Sequence, residues 1–380
     1  MSRITITSLT DHETTPSSRF RVRQLVPFLQ AKGIELFDLP RKFSSQRAAQ
    51  IFPNKRIKRS FIKFTYALLQ EIGNVLETGN RIRKASSSDY TLISREIIDN
   101  FPSFERCIKN QIIFDIDDAI FIGRPQCHRK TVTLLNRSPI VFAGNSYLFH
   151  WCKQFTENVH EVPTAVDISK FKEKTKKPKH KFIVGWQGTS SSFQFLKNIE
   201  NELKEFFSTH NNCELYVSSD RYPEELTEIH KYIEFKKWNK EDEVSHIQEY
   251  DVGIMPIEES EYSLGKCAYK MLLYLSCGVP ACVTSWGMNK EILNKGKVGI
   301  GVEKENKWNE IFGSDRYLKC KSKKDIKNVK VFQICKWDHC DYKNESVYDD
   351  GLFIGRVQIN MNDGKKRRFL YFTADYQLKK

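Results

Sequence analysis

The stretch Lys181-Phe-Ile-Val-Gly-Trp-Gln-Gly-Thr-Ser-Ser-Ser192 decides how this chain is read. Residues 181–186 form a short apolar run of strand type. Residues 187–192 are a Gly/Ser/Thr loop with several possible helix N-caps. Leu196, Ile199, Leu203 and Phe206 then recur at helical spacing, and residues 214–218 return to strand character. Such a βαβ unit builds a parallel sheet through a right-handed crossover. The same pattern opens the chain. Residues 4–9 alternate as a strand, and Val22, Leu25, Val26 and Leu29 follow at helical spacing. Gly33 stops the helix, and residues 34–39 are the next strand. Further strands are predicted at 112–115, 140–143, 252–255 and 279–283.

Between the two starts lies the run 170–181, in which seven of twelve residues are Lys. It is too charged to pack and reads as a solvated linker or surface loop. The expected fold class is therefore α/β. Two doubly wound, Rossmann-like domains, 1–169 and 182–318, face each other across a cleft, with ligands beyond the carboxyl ends of the strands. Residues 319–380 change character. They are Lys-rich, then β-like, with turns at Asp349-Asp350-Gly351 and Asn362-Asp363-Gly364, and read as a small β-rich appendage.

Composition sets the outer bounds. The 380 residues carry 61 Lys+Arg against 47 Asp+Glu, a net charge of +14, and 40% are hydrophobic. That is enough apolar surface for two cores, which excludes global disorder and simple fibres. The N-terminus lacks the apolar core of a signal peptide. The longest uncharged apolar stretch, 271–286, is broken by Gly278 and Pro280, so no membrane span is expected. Ten cysteines without a CxxC pair suggest a reducing, cytoplasmic setting. Cys320, Cys335, His339 and Cys340 fit no common zinc spacing, and ordinary thiols are the preferred reading.

Four segments carry residue types that do chemistry. In Ile112-Ile-Phe-Asp-Ile-Asp-Asp-Ala-Ile-Phe121, three carboxylates crowd the end of an apolar strand. They repel one another unless a cation, a ligand hydroxyl or a backbone donor is near. A metal-holding DxD, a hydroxyl-orienting pair and a backbone cap all remain open. In Ala143-Gly-Asn-Ser-Tyr-Leu148, Gly144 and Asn145 permit a tight strand-to-helix turn, for structure or for binding. The Trp186–Ser192 loop offers N–H groups that suit phosphate oxygens or merely cap a helix. The fourth segment runs through Tyr250-Asp-Val-Gly-Ile-Met-Pro-Ile257, Leu264-Gly-Lys-Cys-Ala-Tyr-Lys270 and Tyr274-Leu-Ser-Cys-Gly-Val-Pro280 to Trp286-Gly-Met-Asn289. There Gly265-Lys266 is predicted to open a helix, with Lys266 and Lys270 one turn apart on one face. Two ammonium groups so placed suit a diphosphate, although a solvated pair is the usual fate of lysines.

These segments, in this order, resemble the glycosyl transferases group 1 family, the retaining GT-B enzymes. The likeness is strongest to a subgroup with DIDDAIF, GNSYL, PTAVD, GWQG and GKCAYK blocks, and it covers residues 3–312. The Ser17-Ser-Arg-Phe-Arg21 loop, Ser94-Arg-Glu96 and Glu105 also fit. The resemblance implies sugar transfer from a nucleotide-sugar donor to a saccharide or lipid-linked acceptor, in surface polysaccharide or glycoconjugate synthesis. It implies no cofactor and no metal, since the nucleotide-sugar is itself a substrate. Trp186, Gly188, Thr189, Glu258, Lys266, Lys270 and Asn289 would meet the donor, with Lys266 on the diphosphate. Asp117 and Asp118 would orient the acceptor hydroxyl, with Ser18, Arg19, Arg95 and Asn145 on the acceptor side. Two departures stand out. The Glu-x7-Glu signature of many members falls on Gly265 and Leu273, and the pattern of a final crossing helix fades after Phe312. A non-catalytic scaffold or sugar sensor is the alternative.

The excess charge lies in scattered runs, among them Lys55-Arg-Ile-Lys-Arg59, 319–330 and Lys365-Lys-Arg-Arg368. No RRM, KH or finger signature accompanies them, so nucleic acid is not the expected partner. The first run precedes Phe61, Phe64 and Leu68 at helical spacing. Such a helix either turns this stripe to the core or lies on an anionic bilayer, where each basic residue contributes about 1 kcal/mol.

Overall fold

The computed structural model describes residues 4–13, 15–42, 60–97, 104–123, 125–173, 181–295, 298–303, 308, 353–360 and 366–373. The chain divides into two compact units, Met1–Thr164 and Ala165–Lys380.

The first unit holds six strands: β1 (Ile4–Thr10), β2 (Ile34–Pro40), β3 (Tyr90–Ser94), β4 (Gln111–Ile116), β5 (Ile140–Ala143) and β6 (Val159–Glu161). They pair in the order β2-β1-β3-β4-β5-β6, parallel throughout. Helices α1 (Pro16–Arg21), α2 (Val26–Gln30), α3 (Ser60–Ala85), α4 (Pro125–Arg137) and α5 (Ser146–Lys153) connect them. Parallel strands are covered on both faces and read as near-continuous apolar runs. Ile112, Ile113, Phe114 and Ile116 of β4 are accordingly all buried, and Ile82, Leu135 and Leu148 of the helices pack on the same core. Each such side chain contributes roughly 1.5–3 kcal/mol on burial. The predicted helix through Val22 and Leu29 is interrupted by a 3-10 turn, Arg23–Leu25. Pro27 explains the break: it lacks the N–H that a continuous helix would use, and it starts α2 instead.

The second unit repeats the plan with β7 (Phe182–Gln187), β8 (Cys213–Ser219), β9 (Ile233–Lys237), β10 (Val252–Met255), β11 (Ala281–Thr284) and β12 (Gly299–Val302). Their order is β12-β11-β10-β7-β8-β9, again all parallel. The helices are α6 (Phe193–Asn198), α7 (Glu200–Thr209), α8 (Glu243–Ile247), α9 (Glu261–Leu264), α10 (Tyr269–Ser276) and α11 (Gly287–Leu293). The core joins Val184, Trp186, Leu215, Val217 and Ile254 to Leu196, Leu203 and Phe207. Two motif glycines are explained by packing. A Cβ on Gly185 would come within 1.9 Å of the Tyr250 ring, and one on Gly253 within 2.2 Å of Tyr274. The expected strand at 279–283 starts only at Ala281, because Gly278 ends α10 at φ +70° and Pro280 cannot donate to a ladder.

In each sheet the strand order reverses beside the first strand, between β1 and β3 and between β7 and β10. Open parallel sheets bind ligands beyond the carboxyl ends of their strands at such a switch point. The start of the basic run is held on the second unit. Phe171 is buried, Lys170 Nζ lies 3.8 Å from Glu243, and Gln248 donates to the Lys172 carbonyl. The rest of the run, 174–180, and the cysteine/histidine group at 320–340 lie outside the described residues, as does any crossing helix after Phe312. Near the C-terminus β13 (Phe353–Asn360) and β14 (Lys366–Thr373) form the antiparallel hairpin expected around Asn362-Asp363-Gly364. Among the described residues no helix is long and apolar enough to cross a membrane, and all seven described cysteines are free.

Candidate functional site

At the switch point of the first unit, every one of the three crowded carboxylates meets a guanidinium. Arg21, from α1, reaches across to β4. Its Nε donates to Asp115 Oδ2 at 3.1 Å, and its Nη2 pairs with Oδ1. Nη1 donates to the Val162 carbonyl at 2.5 Å and to Thr164 Oγ1 at 3.3 Å. Both partners of the Arg21–Asp115 pair are almost fully buried. Burial pushes the Asp115 carboxyl up from its ordinary range, and Arg21 opposes that push. Arg95 follows β3 and forks onto the other two. Its Nε and Nη2 donate to Asp117 at 2.5 and 3.1 Å, and Nη2 lies 2.6 Å from Asp118 Oδ2. Its backbone sits in the left-handed region at φ +65°, with its N–H on the Asp115 carbonyl at 2.9 Å. A non-glycine residue held there costs on the order of 1–3 kcal/mol. That strain aims the guanidinium back over the end of β4.

Asp117 and Asp118 are themselves buried, whereas Arg95 is about a third exposed at 34% of its side chain. The group is therefore reached from solvent through Arg95. Three carboxylates thus share the guanidiniums of Arg21 and Arg95. A second ring lies behind. Lys130 bridges Glu96 at 3.1 Å and Glu105 at 3.5 Å, all three shielded, and the buried Ser94 hydroxyl has no hydrogen-bond partner. The remaining acceptor-side candidates split. Asn145 caps α5, its Oδ1 accepting from the Leu148 N–H at 2.9 Å, so its side chain is committed to the turn. Ser18 is buried with its hydroxyl 3.5 Å from the Asp11 carbonyl. Arg19 lies with its guanidinium carbon 4.3 Å over the Phe20 ring.

The second unit's switch point is built from lysines, hydroxyls and aromatic rings. Gly188 follows β7. A Cβ there would stand 2.7 Å from Lys270 Cε and 2.8 Å from the Trp186 ring. Lys270, in the first turn of α10, therefore lies flat across Gly188, its Nζ 5.8 Å from the Trp186 centroid. Trp186 itself is a core residue, 1% exposed, tilted on Phe193. Lys266 is elsewhere. Its Nζ sits 4.8 Å over the Tyr262 ring. The prediction of one helix carrying both lysines is corrected here. Gly265 closes α9, and Ala268, at φ +50°, separates it from α10. Lys266 belongs to the link between the two helices, so the pair is not one turn apart on one face.

The loop between β10 and α9 is clamped by β11 and its successor. Thr284 Oγ1 accepts from the Ile257 N–H at 3.0 Å and lies 3.1 Å from its carbonyl. Trp286 Nε1 donates to the Ser260 carbonyl at 3.2 Å, and a Ser260/Ser263 capping box starts α9. Glu258 rides on this loop with its side chain exposed. Asn289 is buried, and its Nδ2 is given to the Thr284 carbonyl at 3.2 Å. In the loop after β7, Asp220 takes both the N–H and the hydroxyl of Ser190, at 2.6 and 2.8 Å. A carboxylate of the chain thus stands where a phosphate was one reading of that turn. Thr189 Oγ1 meets Ser191 Oγ at 2.8 Å.

Two residues were quoted in motifs but not singled out as site residues. Arg21 lies in the Ser17–Arg21 loop, and its pairing with Asp115 spans 94 positions, a partnership no local pattern announces. Gln187 ends β7, where its Nε2 donates to the buried Glu243 at 3.1 Å and its Oε1 is buried without a partner. The positions of the Glu-x7-Glu signature hold Gly265 and the buried Leu273.

No family model matches the chain, and no curated protein matches it. Solved structures do. The crystal structure of Anabaena Alr3699/HepE in complex with UDP and glucose aligns over 86% of this chain and 97% of its own, with a TM-score of 0.54 and 12% identity. A glycosyltransferase from Rickettsia africae aligns over 88% and 95%, at 0.57 and 11%. The lipopolysaccharide outer core galactosyltransferase WaaB aligns over 87% and 96%, at 0.53 and 10%. At these identities the likeness is one of fold. Two parallel six-stranded sheets with flanking helices give the chain the GT-B fold, the architecture of these glycosyltransferases.

Proposed function

We propose that this chain is a glycosyltransferase that moves a sugar from a nucleoside diphosphate to a hydroxyl of a saccharide or lipid-linked acceptor. The observation that carries the reading is Lys270 laid across Gly188 at the β7/β10 switch point. An ammonium beside a side-chain-free stretch of backbone suits a diphosphate, which needs both charge and close approach. The fold neighbours support the donor class, since HepE was solved with UDP and glucose. In transfer, the bond between the anomeric carbon and the diphosphate breaks, and its electron pair leaves with the nucleotide. A fixed cation lowers the barrier where that charge develops. Lys270, with Lys266 over the Tyr262 ring, supplies it without a metal. On the first unit, Asp117 and Asp118 beside Arg95 orient a neutral hydroxyl, whose oxygen forms the new bond to the anomeric carbon while its proton passes to one of these carboxylates. Retention of configuration follows the resemblance alone and is part of the proposal.

The buried Leu273 in place of a signature glutamate favours one second reading, a scaffold or sensor that binds donor without turnover. Isothermal titration against UDP-, GDP- and ADP-sugars, followed by product analysis with a panel of saccharide acceptors, separates the two. Binding with a transferred sugar supports the enzyme, and binding without transfer supports the sensor. If no sugar nucleotide binds, both readings fall.

A further inference from the structure

Residues 94–97, Ser-Arg-Glu-Ile, leave β3 through a backbone that a side chain resists, with Arg95 at φ +65°. A non-glycine residue stays in the left-handed region only where its surroundings over-determine it. Three buried charged side chains from three separate segments supply those surroundings. Arg41, just after β2, donates from Nε to the Ile97 carbonyl at 2.7 Å and from Nη2 to the Glu96 carbonyl at 3.3 Å. Glu105, in the 3-10 turn Phe104–Cys107, accepts the Ile97 N–H on Oε1 at 3.4 Å. Lys130 of α4 donates to Glu96 Oε2 at 3.1 Å and lies 3.5 Å from that same Glu105 oxygen. On the other side of the turn, the Arg95 N–H is fixed to the Asp115 carbonyl. The peptide group before Arg95 and the two after Glu96 are therefore all held. Arg95 cannot turn out of the left-handed region without breaking one of these bonds.

Stability does not account for charge at these positions. Replacing a buried ion pair with apolar side chains of similar volume is often neutral or stabilising. Glu105 is 1% exposed, and its Oε2 is buried with no hydrogen-bond partner, which is a cost and not a gain. What the charges add is direction, because hydrogen bonds accept a narrow range of angles whereas apolar contact is non-directional. That direction is passed to the Arg95 guanidinium, which forks onto Asp117 and Asp118.

We propose that Lys130 and Glu105, with Arg41, are positioning residues for Arg95: they hold residues 95–97 so that its guanidinium lies across Asp117 and Asp118. They act through Arg95 and not on the acceptor. The consequence for catalysis rests on the sugar transfer proposed above, whereas the positioning is read without it.

The variant Glu105→Leu/Lys130→Met removes both charges at similar volume. Exchange of arginine Nε–H protons with water, followed by NMR on the full chain labelled at arginine, reads the result. Arg95→Lys identifies the Arg95 signal, and the Arg21 Nε–H, held on Asp115 at 3.1 Å, is the internal reference. The expected result is Arg95 exchange faster by roughly tenfold with Arg21 unchanged, the size of a lost charged hydrogen bond. The kcat of sugar transfer should fall by a similar factor, while donor affinity by titration calorimetry stays at the parent value. Glu105→Gln keeps an acceptor for the Ile97 N–H and serves should the double variant fold poorly; it should speed Arg95 exchange by roughly threefold. Arg95 exchange as slow as in the parent overturns the proposal. Equal acceleration of Arg95 and Arg21 overturns it too, since that is general loosening of the first unit. Faster Arg95 exchange with kcat unchanged overturns the role in transfer. A parent chain that transfers no sugar defeats the proposed function, and faster Arg95 exchange in the variant then still supports the positioning.

Discussion

The carboxyl ends of the two sheets solve opposite electrostatic problems. In the first unit, acids crowd the end of β4 and pair with arginines, Arg21 on Asp115 and Arg95 on Asp117 and Asp118, while Arg23 pairs with Asp38 of β2. In the second, Lys270 and Lys266 lie over the aromatic rings of Trp186 and Tyr262, and hydroxyl side chains supply the rest. Guanidinium forks fix carboxylates in place, so the first end is rigid and already paired. An ammonium over a ring face is attracted by the ring quadrupole. The difference teaches that one fold, used twice, ends in carboxylates held by guanidiniums in one unit and in ammonium groups over aromatic rings in the other.

Breaking the rigid end should have the largest effect. Arg21→Met leaves Asp115 buried without its cation, and removing one partner of a buried pair costs about 3–5 kcal/mol. Calorimetric unfolding should show the first unit melting far earlier while the second is unchanged. A loss under about 1 kcal/mol would mean that water reaches Asp115, contrary to the burial of the pair. The second unit has its own break point in Gly253→Ala. The new methyl would meet the Tyr274 ring at 2.2 Å, and overpacking of this kind costs about 1–3 kcal/mol. This time the second unit should melt early and the first should hold.

How much of this was legible in sequence follows from where the signals lie. Apolar runs gave β1, β2, β4, β5, β7, β8, β10 and β11, because a buried parallel strand is written in consecutive residues. Strands β3, β6, β9 and β12 were not predicted. β9 is half-polar, Ile-Glu-Phe-Lys-Lys, at an edge, and β12 alternates Gly with apolar residues, so neither carries a strong run. At the site, the Asp115–Asp118 cluster was visible as a local oddity, but its partner Arg21 was not. Ion pairing across 94 positions depends on the topology, not on spacing. Gly185 and Gly253 fall within predicted strands, and nothing in the spacing announced that each is the seat of a tyrosine ring. The predicted Lys266–Lys270 helix failed at Ala268, since nothing about an alanine announces a left-handed backbone.

Next in size come effects on ligands. Lys270→Ala should weaken binding of a UDP-sugar by about tenfold or more, equivalent to about 1.4 kcal/mol, without changing stability. Lys266→Ala, over the outer ring of Tyr262, should weaken it by less. Titration calorimetry on both variants decides the ranking, and equal losses would return Lys266 to the role expected from sequence. Arg95→Gly sharpens the first unit's side of the contrast. Glycine accepts φ +65° freely, so relief of strain of about 1 kcal/mol should offset only part of the cost of leaving the buried Asp117 and Asp118 without their guanidinium. Stability of the first unit should fall while transfer to the acceptor is lost. A variant that is both stable and fully active would remove Arg95 from the site.

The smallest expected effect is a pH dependence shared between the units. His246 of α8 is buried beside Tyr216, its Nδ1 3.0 Å from Ser218 Oγ, and His160 of β6 is half-buried. Burial lowers both below the ordinary histidine value of 6.5; for His160, Lys153 adds to the effect, while for His246 nearby Asp242 partly opposes it. A histidine held low is neutral in the folded chain and takes up its proton more readily when unfolded. Its stabilising contribution is therefore complete above pH 6.5 and is lost as the pH falls through that value. His246→Asn keeps a polar group for Ser218 and removes the titration. The melting temperature of the second unit should then fall less between pH 7.5 and 5.5 than it does in the parent chain. The first unit, which still carries His160, should keep its slope. If the second unit of the variant is as acid-sensitive as before, its pH response comes from carboxylates and not from His246.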